Sequence, residues 1–500
     1  MSELERLGDR APVLVGVGTA HRDGPAADDP EPVDLMVEAA TAALGDADPT
    51  AAGLGVLRSA IGVVAVPQGT WSHPDPGRLL ADRLGLGRAR TVLVEVGVPQ
   101  CTPIRVAVER IRRGELDAAL VVGGEAKATR QRLERSGRAA AEVEQPGAEP
   151  DERWRPEGEL MAEPEIAAGL WDPVAQYACI ENALRAAEGR TADEHLDEVA
   201  ALWARCNEVA QHNPRAAFRE PRDAAWLRVA GEGNRPLAFP YAKWHSTQWG
   251  VDQAGALLLC SAGTARAAGV PPERWVVPRV VLESSASVSL SRRTELHRWP
   301  AMRVLADAAA HHLGRPLDRV EHVELYSCFP SAVRVQQREL GLPLDGTPTV
   351  TGGMAFAGGP FNNFTYQATA EVVRAVRDEP GTLGMVTTVS GLLTKPGLTV
   401  WSTDPGEGEP VVADLAGEAT AATATKEVCG DAEGPARVAT YTVTYDGSAP
   451  ACAFVVADLD DGRRWVGTSD DRDLLARGVG DGPELVGAPV VLRGATCTLG

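Results

Sequence analysis

No run of apolar residues in this 500-residue chain approaches the roughly 18 that a membrane-crossing helix needs, so nothing in it reads as a bilayer span. No two of its eight cysteines stand as Cys-x-x-Cys. Scattered singly at 101, 179, 206, 260, 328, 429, 452 and 497, they give neither zinc-ligand spacing nor a disulfide framework, and no metal site is expected. The plain reading of any one of them is a small buried hydrophobe. Positive charge is short as well: 49 Lys and Arg face 69 Asp and Glu, a net −20. That balance argues against a nucleic-acid partner, whose phosphates require clustered basic residues. Met1 to Arg10 is polar with no apolar core behind it, so it reads as neither secretory signal nor transit peptide, and the expected location is cytoplasmic. Finally, no histidine follows His322.

What is present points to a globular protein of two or three domains: 44% apolar and 24% charged residues in a chain longer than one core usually organises. Pro12 to Gly18 is a β-branched run followed by an amphipathic helix over Glu31 to Leu44. Ile61 to Val66 leads to a second helix around Leu79, Leu80 and Leu84. Thr91 to Val96, the turn Gly97-Val98-Pro99-Gln100, a helix with Ile104, Val108 and Ile111 on its buried stripe, and the strand Ala118 to Val122 form the clearest unit. Strands without alternation, joined by helices, predict a parallel sheet covered on both faces.

Residues 127–238 break this rhythm as a helical excursion, with Thr191 and Glu194 forming a capping box. Trp249 to Cys260 and Trp275 to Ser284 return to core-like sequence. A second half then repeats the plan through His297 to Leu313, Val323 to Leu325, the glycine-rich turn of Thr349 to Phe364, and Leu383 to Gly391. The pairing of the turns at Gly97 and Gly358-Gly359 suggests an internal duplication, although glycine turns before helices are common in α/β folds. After Pro410 the sequence turns to β-branched runs separated by Asp-Gly turns, and residues 401–500 carry 17 acidic against 7 basic residues. A small all-β domain is expected there. The predicted division is 1–280, containing the excursion, then 281–402, then 411–500.

Four segments carry a family resemblance. Ile111 to Glu125 (IRRGELDAALVVGGE) resembles the helix-to-strand passage behind the thiolase nucleophile. Glu324 to Val333 (ELYSCFPSAV) stands where thiolases have an Asn-Glu-Ala-Phe loop, Gly352 to Pro360 (GGMAFAGGP) where they have Gly-His-Pro, and Val389-Ser-Gly391 where they have Cys-x-Gly. Over residues 11–402 the chain is similar to the thiolase superfamily, in particular to type 1 thiolase-like proteins carrying an additional C-terminal domain. The resemblance implies an α/β duplicated thiolase fold in five αβαβα layers, with the site at the junction of the halves and a C-terminal barrel like an oligonucleotide-binding fold. It also implies acyl-CoA as partner, with coenzyme A thioester as substrate or ligand and no permanently bound cofactor. An oligomer or a protein partner is compatible with it.

Thiolase chemistry uses a cysteine thiolate, a histidine that activates it, a second cysteine as acid/base, and oxyanion donors. At the matching positions this chain has Gly97, Gly359 and Val389. Substitutes are Cys101, one helical turn on, and Cys328, each either a nucleophile or a core residue. His245, in Lys243-Trp-His-Ser-Thr-Gln-Trp249, is a candidate base or a packed histidine. Tyr326 stands at the asparagine or histidine position and can donate to an enolate oxygen, act as a base if its pKa is lowered, or serve structurally. Gly97, Gln100, Gly358, Gly359, Asn362, Asn363, Gly391 and Lys395 are expected to line the thioester pocket. Three functions follow from this inventory: an atypical acyltransferase, a tyrosine-dependent retro-aldol lyase acting on hydroxyacyl-CoA, or a non-catalytic CoA- or acyl-binding protein.

Overall fold

Strands that do not alternate must bury both faces, and the runs singled out above do so: all nine residues of Ala118–Ala126 and all ten of Asp252–Ser261 are buried. The computed structural model describes residues 3–22, 29–480 and 482–500. Met1 and Ser2 of the N-terminal segment, and Asp481 of the C-terminal unit, lie outside them.

The first sheet has six strands in the order Pro12–His21, Asp252–Ser261, Ala118–Ala126, Ile61–Pro67, Arg90–Val94 and Glu152–Trp154. It is mixed, not parallel as expected. Asp252–Ser261 returns from the long excursion and runs antiparallel to both neighbours, while the remaining pairs are parallel. The second sheet orders His322–Glu324, Leu383–Ser390, Lys395–Ser402, Val277–Glu283 and Val411–Asp414. Between the sheets lie the helices Thr102–Arg113 and Phe364–Asp378, each packed on strands of both. Helix Pro32–Asp46 covers the outer face of the first sheet and helix Pro300–Leu313 that of the second. The result is the five-layer αβαβα arrangement of a duplicated thiolase fold.

Local sequence explains the central pair. Pro103 sits in the first turn of its helix, Ile104, Ala107, Val108 and Ile111 make the buried stripe, and Gly114 ends it in the left-handed region at φ 70°. Both central helices begin at glycine-rich loops, and these starts converge. The Tyr366 hydroxyl donates to the Gln100 carbonyl at 3.1 Å, and the Thr365 hydroxyl to the Gln100 side-chain oxygen at 2.5 Å.

The C-terminal region closes a five-stranded barrel: Ala432–Asp446 pairs with Ala449–Asp458, then Arg464–Ser469, Thr496–Leu499 and Pro489–Gly494, which returns to the first. With helix Arg472–Gly478 between the third and fourth strands, this is the strand order of an oligonucleotide-binding-like barrel. The stretch 411–414 does not belong to it, because Val411–Asp414 pairs with Val277–Glu283 in the second sheet. The excursion is not purely helical either: Glu152–Trp154 extends the first sheet, and Pro236–Ala238 pairs with the barrel through Ala238 and Thr444. The barrel is pinned to the body by buried Arg464, whose guanidinium donates to the carbonyls of Ser291, Arg293 and Thr294, and by Asn182, which donates to Tyr441 and Phe239 carbonyls at 3.0 and 3.1 Å. Among the described residues no helix is long and apolar enough to cross a membrane.

Candidate functional site

Gln100, at the start of the first central helix, is the hub of the junction. Its side-chain amide donates to the Tyr326 hydroxyl at 3.1 Å and to the Val389 carbonyl at 3.4 Å. One side chain thus ties the Tyr-Ser-Cys-Phe loop, the Val-Ser-Gly loop and both central helices together. Tyr326 is fixed further by its own amide, which donates to Thr387 at 2.9 Å, and by its carbonyl, which accepts from Gln336 at 2.8 Å.

At the two glycines that the resemblance matches to reactive side chains of thiolases, neighbours fill the space; at the third matched position the valine side chain fills it itself. Gly97 has φ 97°, a conformation that favours glycine, and a Cβ added there would lie 3.1 Å from the Pro156 ring and 3.5 Å from Leu160. A Cβ on Gly359 would meet the Thr247 methyl at 2.1 Å, and Met354 lies just beyond it. Val389 is buried on its strand. Leu160 also crowds Gly391, at 2.7 Å from an added Cβ. The segment 156–160 therefore packs over Gly97 and Gly391. It is held there by Lys395, whose ammonium donates to the Glu157 carbonyl at 2.6 Å and the Gly97 carbonyl at 3.1 Å, and by Ser287, which donates to the Glu159 carbonyl at 2.6 Å. Lys395 starts a strand rather than sitting in a loop, and burial lowers its pKa.

What remains polar is a cluster of weak acids in a dry setting. The thiol of Cys328 lies beside the phenol of Tyr177, and Tyr326 lies close enough to Cys328 for their charges to interact. Burial is the leading cause of every shift here: it pushes the Cys328 thiol up to about 12, and both phenols well above their ordinary range. All three groups are protonated at neutral pH. The backbone of Leu393, a buried residue at φ 52°, also lies against the Tyr177 phenol. Tyr177 escapes sequence reading because it lies within helix Pro173–Ala187 of the excursion, far along the chain from the loop that it meets.

The other expected residues are placed elsewhere or left free. Cys101 is fully enclosed, and burial, aided by the nearby Glu283 carboxylate, raises its pKa well above normal. An unactivated, inaccessible thiol speaks against it as a nucleophile. His245 is buried with its Nδ1 accepting from the Ala242 amide at 3.1 Å and its ring edge-on to Tyr241. Burial pushes its pKa down to about 4. Among the described residues no hydrogen bond links it to Cys101 or Cys328. Gly358 is at φ 97° against the Gln253 amide. Asn362 and Asn363 are both buried, and neither side-chain polar atom of Asn363 has a partner. Arg222 stacks on Trp244 at 3.7 Å with Lys243 nearby, forming a cationic aromatic ledge with half-exposed Trp226.

No protein-family model matches the chain, and no curated protein does. Among solved structures it is similar to a monomeric SCP2-thiolase-like protein type 1 from Mycobacterium smegmatis, with 28% identity over 99% of this chain and 100% of that one, at a TM-score of 0.82. It is similar to the Ltp2–ChsH2(DUF35) aldolase, with 18% identity, 79% of this chain and 99% of that chain covered, at a TM-score of 0.59. Human mitochondrial 3-ketoacyl-CoA thiolase in complex with CoA matches at 16% identity, 79% and 98% coverage and a TM-score of 0.54. The chain thus has a thiolase-like fold, with the duplicated thiolase body and a closed five-stranded barrel in its C-terminal region.

Proposed function

We infer that this protein binds acyl-CoA thioesters at the junction of its halves, with Tyr326 and Tyr177 as hydrogen-bond donors toward the thioester oxygen. It does not carry the acyl group on cysteine. The observation that carries this reading is the contrast within the site: the reactive positions are packed by Pro156, Leu160, Thr247 and Met354, whereas protonated phenols and the unpartnered amide of Asn363 remain. An acyltransferase working through Cys328 needs a thiolate, and a thiol held at about 12 supplies almost none at neutral pH. The ledge of Arg222, Lys243 and Trp226 suits the purine and phosphates of a CoA ligand, by stacking and charge.

The test uses the full chain with acetyl-CoA and a longer acyl-CoA. Calorimetry is expected to show saturable binding, and intact-protein mass no acyl adduct. Tyr326→Phe keeps the ring but loses one neutral hydrogen bond, roughly 0.5–1.5 kcal/mol, so thioester affinity drops about two- to tenfold while free CoA binds as before. An adduct on Cys328 or Cys101 defeats this reading in favour of acyl transfer. A second reading, a carbon–carbon lyase acting on hydroxyacyl-CoA, draws on the paired phenols around Cys328 and on the barrel carried in the same chain. Steady release of a carbonyl product from a 3-hydroxyacyl-CoA would establish it.

A further inference from the structure

Where helix Pro300–Leu313 begins, a small pocket is lined by Trp299, Pro300, Leu393, Ala419, Thr423 and Arg293. It is apolar apart from the two threonines Thr394 and Thr423 and one cation, and that cation is only 3% exposed. Arg293 spends Nε and Nη2 on the Val288 carbonyl at 3.2 Å and Nη2 also on the Leu392 carbonyl at 2.5 Å. Its Nη1 is buried without a hydrogen-bond partner. Among the described residues no carboxylate forms an ion pair with it. Glu165 is nearby, but its two oxygens accept from the amides of Ala162 and Ser291 at 2.9 and 2.6 Å. Glu339, near the end of helix Pro330–Leu340, is committed to Arg298 and to the Trp299 amide.

A guanidinium has five donors in a fixed fork, and leaving part of that fork dry and unpaired is costly. The first turn of a 14-residue helix adds positive potential on the same side. We propose that this pocket is a binding site for a small carboxylate with a short apolar body, the carboxylate taken by Nη1 of Arg293 and the body packed on Trp299 and Leu393. Burial lowers the Arg293 pKa only to about 10, so the cation is present at neutral pH. The pocket adjoins the phenol cluster at Leu393, and Arg293 lies close enough to Tyr177 for their charges to interact, but the carboxylate contact uses no group that the thioester reading assigns.

The experiment titrates butyrate, and n-butylamine as a control of the same shape and opposite charge, into the full-length chain by calorimetry. Butyrate is expected to saturate one site per chain, and butylamine to give no binding heat. Arg293→Met should weaken butyrate about tenfold or more, the scale of a lost charge-assisted contact. Because that variant also frees two loop carbonyls, Thr423→Phe serves as a second test, filling the half-buried rim without touching the guanidinium or its partners, and should abolish binding. The proposal is overturned if butyrate fails to saturate, if both ions bind alike, or if Thr423→Phe keeps wild-type butyrate affinity.

Discussion

At the scale of single residues, side chains added at Gly97 and Gly359 meet their neighbours, most closely at Gly359. Gly359→Ala drives a Cβ into the Thr247 methyl, 2.1 Å away, and is expected to cost roughly 1–3 kcal/mol of stability. Thr247→Ser removes that methyl while keeping the hydroxyl that donates to the Cys328 carbonyl at 3.2 Å. In that background the Gly359→Ala cost should shrink, giving a coupling of about 1 kcal/mol or more in a denaturant double-mutant cycle; strict additivity would show that Thr247 is not the obstacle. His245 makes a pH prediction. Its imidazole is held at about 4 by burial against roughly 6.5 in an unfolded chain. The unfolded state therefore binds more protons between those values, so the stabilisation is full above about 6.5 and is lost as pH falls through about 4, at about 1.4 kcal/mol per unit. His245→Asn, which keeps an acceptor for the Ala242 amide, should lose less stability than the wild type in urea unfolding between about pH 7 and about pH 5. Equal losses would place the titration on other groups.

At the scale of elements, the segment 156–160 behaves as a strap fastened by Lys395 and Ser287. Lys395→Met preserves the length of the stem but frees the Gly97 and Glu157 carbonyls, and a buried charged donor of this kind is worth about 2 kcal/mol. Amide exchange read by mass spectrometry should quicken in peptides spanning 156–160 and stay unchanged in the barrel; unaltered exchange in the strap would assign its fastening to packing alone. This strap also marks where the sequence stops being legible. Buried runs such as Ala118 to Val122, and the Thr191–Glu194 capping box, announce their elements because period and cap are local signals. The three-residue edge strand Glu152–Trp154 has no such period, being polar and short, and it disappears into a charged stretch. Lys395 looks like a loop residue because lysine is usually solvated, yet its stem enters a sheet and its ammonium finds carbonyls. The pairing of Tyr177 with Cys328 is purely tertiary, and no spacing along the chain encodes it.

At the scale of the whole molecule, the barrel is distinct in composition but joined to the body by buried polar bonds. The loop 404–409 is mostly exposed, and it connects two strands of the same sheet, Lys395–Ser402 and Val411–Asp414. Limited proteolysis should cut there, and the two pieces should co-elute in gel filtration, because Val411–Asp414, Arg464 and Asn182 all remain engaged across the nick. Release of a free C-terminal fragment would mean that these bonds do not hold the barrel. The other end of the first sheet has a consequence for association. Glu152–Trp154 lies along Arg90–Val94 and finishes the sheet with a strand of three residues that carries Glu152 and Arg153. Such a short, charged margin offers no ladder onto which a second copy could add its own strand, so a continuous sheet running from one molecule into another is closed on that side, and self-association there requires a different surface.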